Sequence, residues 1–274
     1  MRRRAVGGAA LATAHAVAAL AGAAQVAPAP VAQQTLIGRS VQGRPIAVTR
    51  IAYAGERVRR RVLVVGCIHG DECAGRAIVA RLRERALGGQ LPPHAELLLV
   101  RNLNPDGTAL GRRQNARGVD LNRNGSFRRR YLGPPGSRFY AGPRAWSEPE
   151  SRAIRALILG VRPDVVVWYH QPLARIDVPE AGWDGRARSY GRQVGLPVRP
   201  LPHYPGSLSR WVNERVRPGS SFVVELDGRR TLGRALADRH ADAVLALTSP
   251  DVRRSSSSVR RTVSGQPANV EKVQ

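Results

Sequence analysis

Four short apolar runs punctuate the middle of the chain: 61–68 (RVLVVGCI), 97–103 (LLLVRNL), 164–169 (DVVVWY) and 221–226 (SFVVEL). Each has the length of a strand and is continuously apolar rather than alternating, the pattern of a strand buried on both faces. Between them, residues 74–85 read as a helix, 148–159 as a second with Ser147 as its N-cap and Pro149 in its first turn, and 232–247 as a third. The tetrapeptide NPDG at 104–107 closes the second run with a turn. Buried strands separated by helices predict an α/β fold: a single-domain, three-layer α/β/α arrangement with a mixed, mostly parallel, twisted central sheet. In such sheets ligands collect beyond the carboxyl ends of the strands. Polar residues at those ends are therefore the first candidates for chemistry.

The two ends of the chain follow different patterns. Arg2, Arg3 and Arg4 precede an Ala/Gly/Val/Leu-rich run at 5–24 and an Ala/Pro stretch at 27–32, the three parts of a secretory signal. Small residues at Ala21 and Ala23 suit cleavage after Ala23; the other reading is a retained membrane anchor. Residues 251–274 carry four consecutive serines between arginine pairs and no apolar period, which predicts a disordered tail. The expected organisation is a signal and short linker at 1–34, a catalytic domain at 35–250 and the tail at 251–274.

Composition narrows the classes further. With 274 residues, 42% hydrophobic, the chain can bury a full core, and two cysteines exclude a disulfide-rich scaffold. The formal net charge of +24 favours anionic surroundings, an anionic cell wall among them. All but one of the 44 basic side chains are arginines, scattered and with few aromatics between them, so no specific nucleic-acid partner is expected. The export reading predicts a secreted, cell-wall or periplasmic protein with no stable membrane span after signal cleavage. Nothing in the pattern fixes an oligomeric state.

Three strand ends carry groups that folding alone does not explain. His69 and Glu72 follow the first run, His170 follows VVVWY, and Glu225 closes SFVVE. Two imidazoles and a carboxylate brought together by a parallel sheet form the donor set of a catalytic zinc with one open position. Gly70 would let the chain turn sharply after the strand, so that one turn supplies two ligands. Cys67 and Cys73 flank that turn, and a disulfide and two packed thiols are both compatible with the sequence. His94, His203 and His240 read as surface or capping residues.

At this point the sequence resembles the zinc carboxypeptidases of the funnelin type. VGCIHGDE at 65–72 is similar to the strand, turn and helix that carry that family's first two zinc ligands, and WYHQP at 168–172 to the strand with the third. NPDG followed by RQNARGVDLNRN at 113–124 resembles the substrate-carboxylate segment, and FVVEL at 222–226 the strand of the catalytic glutamate. Within the family, GVDLNRN, GPRAWSEPES at 142–151 and HQPL at 170–173 are most similar to bacterial murein peptide amidases, which cut the γ-D-glutamyl bond to diaminopimelate in cell-wall peptides.

The resemblance implies a zinc carboxypeptidase-like fold, one Zn2+ per chain on His69, Glu72 and His170, and a peptide or muropeptide substrate. The ion would acidify a water and polarise the scissile carbonyl. Glu225 would act as general base and then acid. Arg113 would stabilise the oxyanion, with Arg112 as its competitor, and Asn122 and Arg123 would dock the substrate's terminal carboxylate. Tyr204 is the nearest candidate for the family's mobile tyrosine, at an unmatched spacing. Gly125 and Ser126 intervene where the family often has an aromatic, and they, or Arg175 and Asp177, are candidates for reading a second charged centre in the substrate.

Three other readings stand beside this one. A general secreted metallocarboxypeptidase would share every residue named, and an acyl-amino-acid deacylase of related fold is opposed by the intact GVDLNRN frame. A non-enzymatic, basic wall-binding protein on a degenerate scaffold predicts a broken ligand set, and the set is whole.

Overall fold

The computed structural model describes residues 29–178, 185–216 and 221–249. The expected signal, with its cleavage after Ala23, and the expected tail at 251–274 lie outside them. Seven strands form one mixed sheet: β1 (Pro30–Arg39), β2 (Pro45–Tyr53), β3 (Arg60–Val65), β4 (Ala95–Val100), β5 (Val165–His170), β6 (Arg175–Asp177) and β7 (Ser221–Glu225), in the order β1-β2-β4-β3-β5-β7-β6. The four apolar runs are the parallel centre, β4-β3-β5-β7. The three strands with no such signature, β1, β2 and β6, pair antiparallel at the two edges. β1 begins at Pro30, so residues 30–34, expected as linker, belong to the sheet.

Six α-helices lie among the described residues: α1 (Gly75–Arg85), α2 (Pro105–Leu110), α3 (Pro149–Val161), α4 (Gly185–Val194), α5 (Leu208–Arg215) and α6 (Arg234–Ala246). Alternate residues of the central strands feed two separate cores. Val62, Val64, Val167 and Tyr169 pack with α1, α4 and α6 on one face; Leu63, Val65, Val166 and Trp168 pack with α3 and α5 on the other. This is why those strands are apolar without interruption.

Local chemistry departs from the sequence expectation at three points. NPDG opens α2 instead of a turn, because the Asn104 side chain accepts a hydrogen bond from Gly107 N and Pro105 occupies the first helical position. The cap residue of α3 is Glu148, and Ser147 donates to its side chain instead. His240, expected at the surface, is buried on α6 and sits in a hydrogen-bonded chain with Tyr190 and Tyr169, each link 2.7 Å long. Burial lowers its pKa to about 4, so it is a neutral member of the core.

Between β3 and β5 the chain changes direction across the sheet: it leaves β3 for β4 on one side and returns to β5 on the other. That switch point opens a crevice beyond the strand ends. The turn between β1 and β2 is tied to α2 by Asp106, which is fully buried and accepts from Gln42 N, Ser40 Oγ and Arg44 Nη1 at 3.0, 2.8 and 2.6 Å. Burial alone would raise the Asp106 pKa, but these donors outweigh it and hold the carboxyl below its ordinary value. Its stabilising contribution is therefore complete above the ordinary carboxylate pKa and is lost as pH falls through the depressed folded value. Replacing Asp106 with Asn is expected to cost about 1–3 kcal/mol at neutral pH. In denaturant melts, the gap from the wild type should narrow as pH falls below about 4.

Candidate metal centre and catalytic cleft

His69 and Glu72 lie in the turn after β3, and His170 is the last residue of β5, the strand beside it. The fold therefore brings to one point residues about a hundred positions apart. His69 Nδ1 is 2.8 Å from Glu72 Oε2, His170 Nδ1 is 3.0 Å from the same oxygen, and the two Nδ1 atoms are 3.1 Å apart. All three side chains are buried, and they form the one group among the described residues whose donor atoms converge as a metal would require.

The hydrogen-bond bookkeeping favours a cation. His69 Nε2 lies 3.0 Å from Asp120 Oδ1, an obligate acceptor when ionised, so Nε2 carries a ring proton and Nδ1 faces Glu72. A bare Nδ1 and a carboxylate oxygen 2.8 Å apart would repel, so a proton on Nδ1 or a bound cation holds them together. Burial opposes charging His69, yet Glu72 and then Asp120 outweigh it and raise its pKa. Glu72 itself is held far below the carboxylate range: burial pushes up, while His69 and His170 pull down more strongly. Two nitrogens, one carboxylate oxygen and an oriented carboxylate behind the first imidazole fit zinc, which takes such N and O donors and needs no particular d-electron geometry.

Gly70 serves this turn through a close backbone approach: it touches Gly107 of α2 so tightly that a Cβ would lie 2.0 Å from the Gly107 carbonyl carbon. The turn is positioned by that contact. A disulfide joins Cys67 to Cys73 across it, which settles the open question of pairing.

The arginines separate by position. Arg113 donates from Nη1 to Glu72 Oε1 at 2.7 Å and from Nε to Asp120 Oδ2 at 2.9 Å, and it lines the cleft. Its competitor Arg112 turns away and bonds the carbonyls of Asn115 and Ala116. Arg123 lies within the same cleft, buried, its guanidinium 4.4 Å above the Tyr204 ring and 5.3 Å from Phe139. Asn122 is fixed by Leu208 N donating to its Oδ1, with its Nδ2 3.4 Å from His170 Nε2. Gly206 lets this segment dock, since a Cβ there would lie 1.9 Å from Arg123 O.

Glu225 is the Cα partner of His170 across β5 and β7, and both face a cavity of about 190 Å3. Its Oε2 is buried with no hydrogen-bond partner among the described residues. Burial raises its pKa; His170 opposes and Glu72 reinforces the rise. A buried carboxylate oxygen without a partner at the mouth of a donor cluster is poised to exchange a proton. Of the residues proposed for a second charged centre, Asp177 lines the cavity; Arg175 points to the Leu173 carbonyl, and neither Gly125 nor Ser126 reaches the lining.

The residue that sequence reading passed over is Asp120. It is fully buried and binds His69, Arg113 and Asn122 N together, linking the metal turn to the segment of Asn122 and Arg123. The signal was present as an acid between two apolar residues, Val119 and Leu121, where a buried charge needs a partner.

Comparison with known proteins agrees with this arrangement. A family model described as zinc carboxypeptidase matches residues 19–172, a span that holds His69, Glu72 and His170 and ends before Glu225. The murein peptide amidase A of Vibrio campbellii is 33% identical over 232 residues, covering 79% of this chain and 88% of the relative. The crystal structure of a murein-tripeptide amidase from Escherichia coli O157 superposes with a TM-score of 0.59 at 26% identity, over 78% of this chain and 91% of that one. The carboxypeptidase A of Helicoverpa armigera shares the fold, with a TM-score of 0.70 at 18% identity over 80% and 68% of the two chains. Replacing Asp120 with Ala is expected to weaken zinc binding about 10- to 100-fold in a chelator competition; unchanged affinity would remove it from the metal's support.

Proposed function

The chain belongs to the zinc carboxypeptidase family, a zinc-dependent hydrolase, and we propose from that premise that it is an exported peptidase acting on murein peptides. The bond we assign is the amide before a C-terminal residue with a free carboxylate, the γ-D-glutamyl–diaminopimelate bond. What carries this reading is one observation: a buried His-Glu-His donor set, a carboxylate with one unpartnered oxygen and two fixed guanidinium groups share a single cleft. The names of the relatives support the murein substrate.

His69, Glu72 and His170 would hold the ion, and zinc in that place would acidify a water molecule and polarise the scissile carbonyl. The remaining work belongs to the side chains around it. Arg123 takes the substrate's terminal carboxylate; its guanidinium is held flat by Tyr204 and Phe139, which limits the orientations a carboxylate can meet. Asn122 supplies a neighbouring polar contact. Arg113, immobilised by Glu72 and Asp120, keeps a cation where negative charge grows on the carbonyl oxygen, and a fixed cation costs no reorganisation at that moment. Glu225 Oε2 accepts the water's proton and returns it to the leaving nitrogen.

Export is supported by the basic start and apolar run of residues 2–24 and by the Cys67–Cys73 disulfide, since such bonds persist in oxidising compartments. A net charge of +24 would concentrate the enzyme at an anionic wall, an effect that weakens with salt.

The test is release of free diaminopimelate from L-alanyl-γ-D-glutamyl-diaminopimelate by the zinc-loaded protein. A Glu225→Gln variant should keep one zinc per chain and lose about 10²- to 10⁴-fold in kcat. Wild-type activity in that variant would remove Glu225 from the mechanism. Cleavage of ordinary peptides without release of diaminopimelate would replace the murein reading by that of a general carboxypeptidase.

A further inference from the structure

One charged pair in the cleft has no part in the chemistry just described. Asp177, at the end of β6, and Arg210, on α5, are 8% and 4% exposed, and both line the cavity that Glu225 faces. Arg210 Nη2 donates to Asp177 Oδ1 at 2.9 Å and Oδ2 at 3.2 Å. The pair is held from behind by backbone: Leu201 N donates to Asp177 Oδ1, and Arg210 donates to the carbonyls of Val178 and Leu201.

Folding gains little from such an arrangement. Removing two charges from water costs several kcal/mol per ion, and replacing a buried pair by apolar side chains is often neutral or stabilising. A fixed pair opening into a substrate cavity has a different use, because it offers a negative and a positive group side by side in a set order. The β6–β7 register defines its distance from the chemistry. Asp177 faces Val223 and Arg175 faces Glu225, so Asp177 and Glu225 are diagonal neighbours, about 7–8 Å apart along the cavity wall.

We propose that Asp177 and Arg210 read the distal centre of a C-terminal diaminopimelate residue, Asp177 accepting from its ammonium and Arg210 donating to its carboxylate. The proposal rests on the murein reading above. A diaminopimelate side chain carries three methylenes from the carbon that bears the docked carboxylate to a second carbon bearing both an amine and a carboxylate. Those two charges complement the order presented by Asp177 and Arg210. A lysine side chain brings a cation to Asp177 but no anion to Arg210, and a 2-aminopimelate side chain brings an anion to Arg210 but no cation to Asp177.

The experiment compares three peptides of the form L-alanyl-γ-D-glutamyl-X, with X as meso-diaminopimelate, L-lysine or L-2-aminopimelate. The zinc-loaded wild type is expected to favour diaminopimelate over each analogue by about 10- to 100-fold in kcat/KM, the worth of one charge-assisted contact. Asp177→Asn should erase the preference over 2-aminopimelate, and Arg210→Gln the preference over lysine, each mainly through KM. The double variant keeps the hydrogen-bonding shape without the charges and should lose both preferences together.

If all three peptides fall in equal proportion in every variant, the pair is scaffolding and the proposal fails. Should a variant not fold, the wild type still decides: cleavage of all three peptides at similar kcat/KM overturns the proposal. Release from none of them, with ordinary C-terminal residues still removed, defeats the murein reading itself and the proposal with it, and is recognisable as that different failure.

Discussion

Two imidazole nitrogens and a carboxylate oxygen, all buried, point at one another across about 3 Å, and a cluster that tight needs shared protons or a bound cation to hold it. Much of the surrounding structure exists to impose that convergence. Asp120 fixes the proton on the far side of His69; Arg113 neutralises the second oxygen of Glu72; the backbone contact between Gly70 and Gly107 seats the turn that carries both ligands. Because β3 and β5 are adjacent parallel strands at the switch point of the sheet, His170 arrives from the other half of the chain at the same height. The cleft is then a consequence of topology, and the chemistry of its walls is a consequence of which residues end those two strands and β7.

The parts of this that could be read from sequence are those governed by burial on both faces. Continuous apolar runs marked the four central strands, and the polar residues terminating them were conspicuous for that reason. The edge strands were not legible: β1 is largely exposed and β6 has three residues, so neither carries a hydrophobic signature. Side-chain partnerships were equally hidden. Nothing in the order of residues distinguishes Arg113 from Arg112; only the fold turns one toward Glu72 and the other toward backbone carbonyls. His240, in a helix, read as a surface or capping residue, yet Tyr190 supplies a buried partner from α4. The glycine at 70 was legible as part of a sharp turn, but its close approach to Gly107 was not.

An excess of arginine colours the whole surface, but the cleft uses few of them and uses each by pairing. Arg113, partly buried, and Arg123, buried, sit beside acids or aromatic rings, and their positions are set by Glu72, Asp120, Tyr204 and Phe139. Placement, not number, is what gives a guanidinium a role in recognition. The same distinction applies to carboxylates: Asp106 is saturated with donors and holds the fold, whereas Glu225 keeps an oxygen without a partner and is left to react.

The most direct measurement is anomalous diffraction at the zinc edge from crystals of the zinc-loaded protein. The account predicts one strong peak per chain bounded by His69 Nδ1, His170 Nδ1 and a Glu72 carboxylate oxygen. A peak elsewhere, or a zinc held through His69 Nε2 with Asp120 as its ligand, would contradict it.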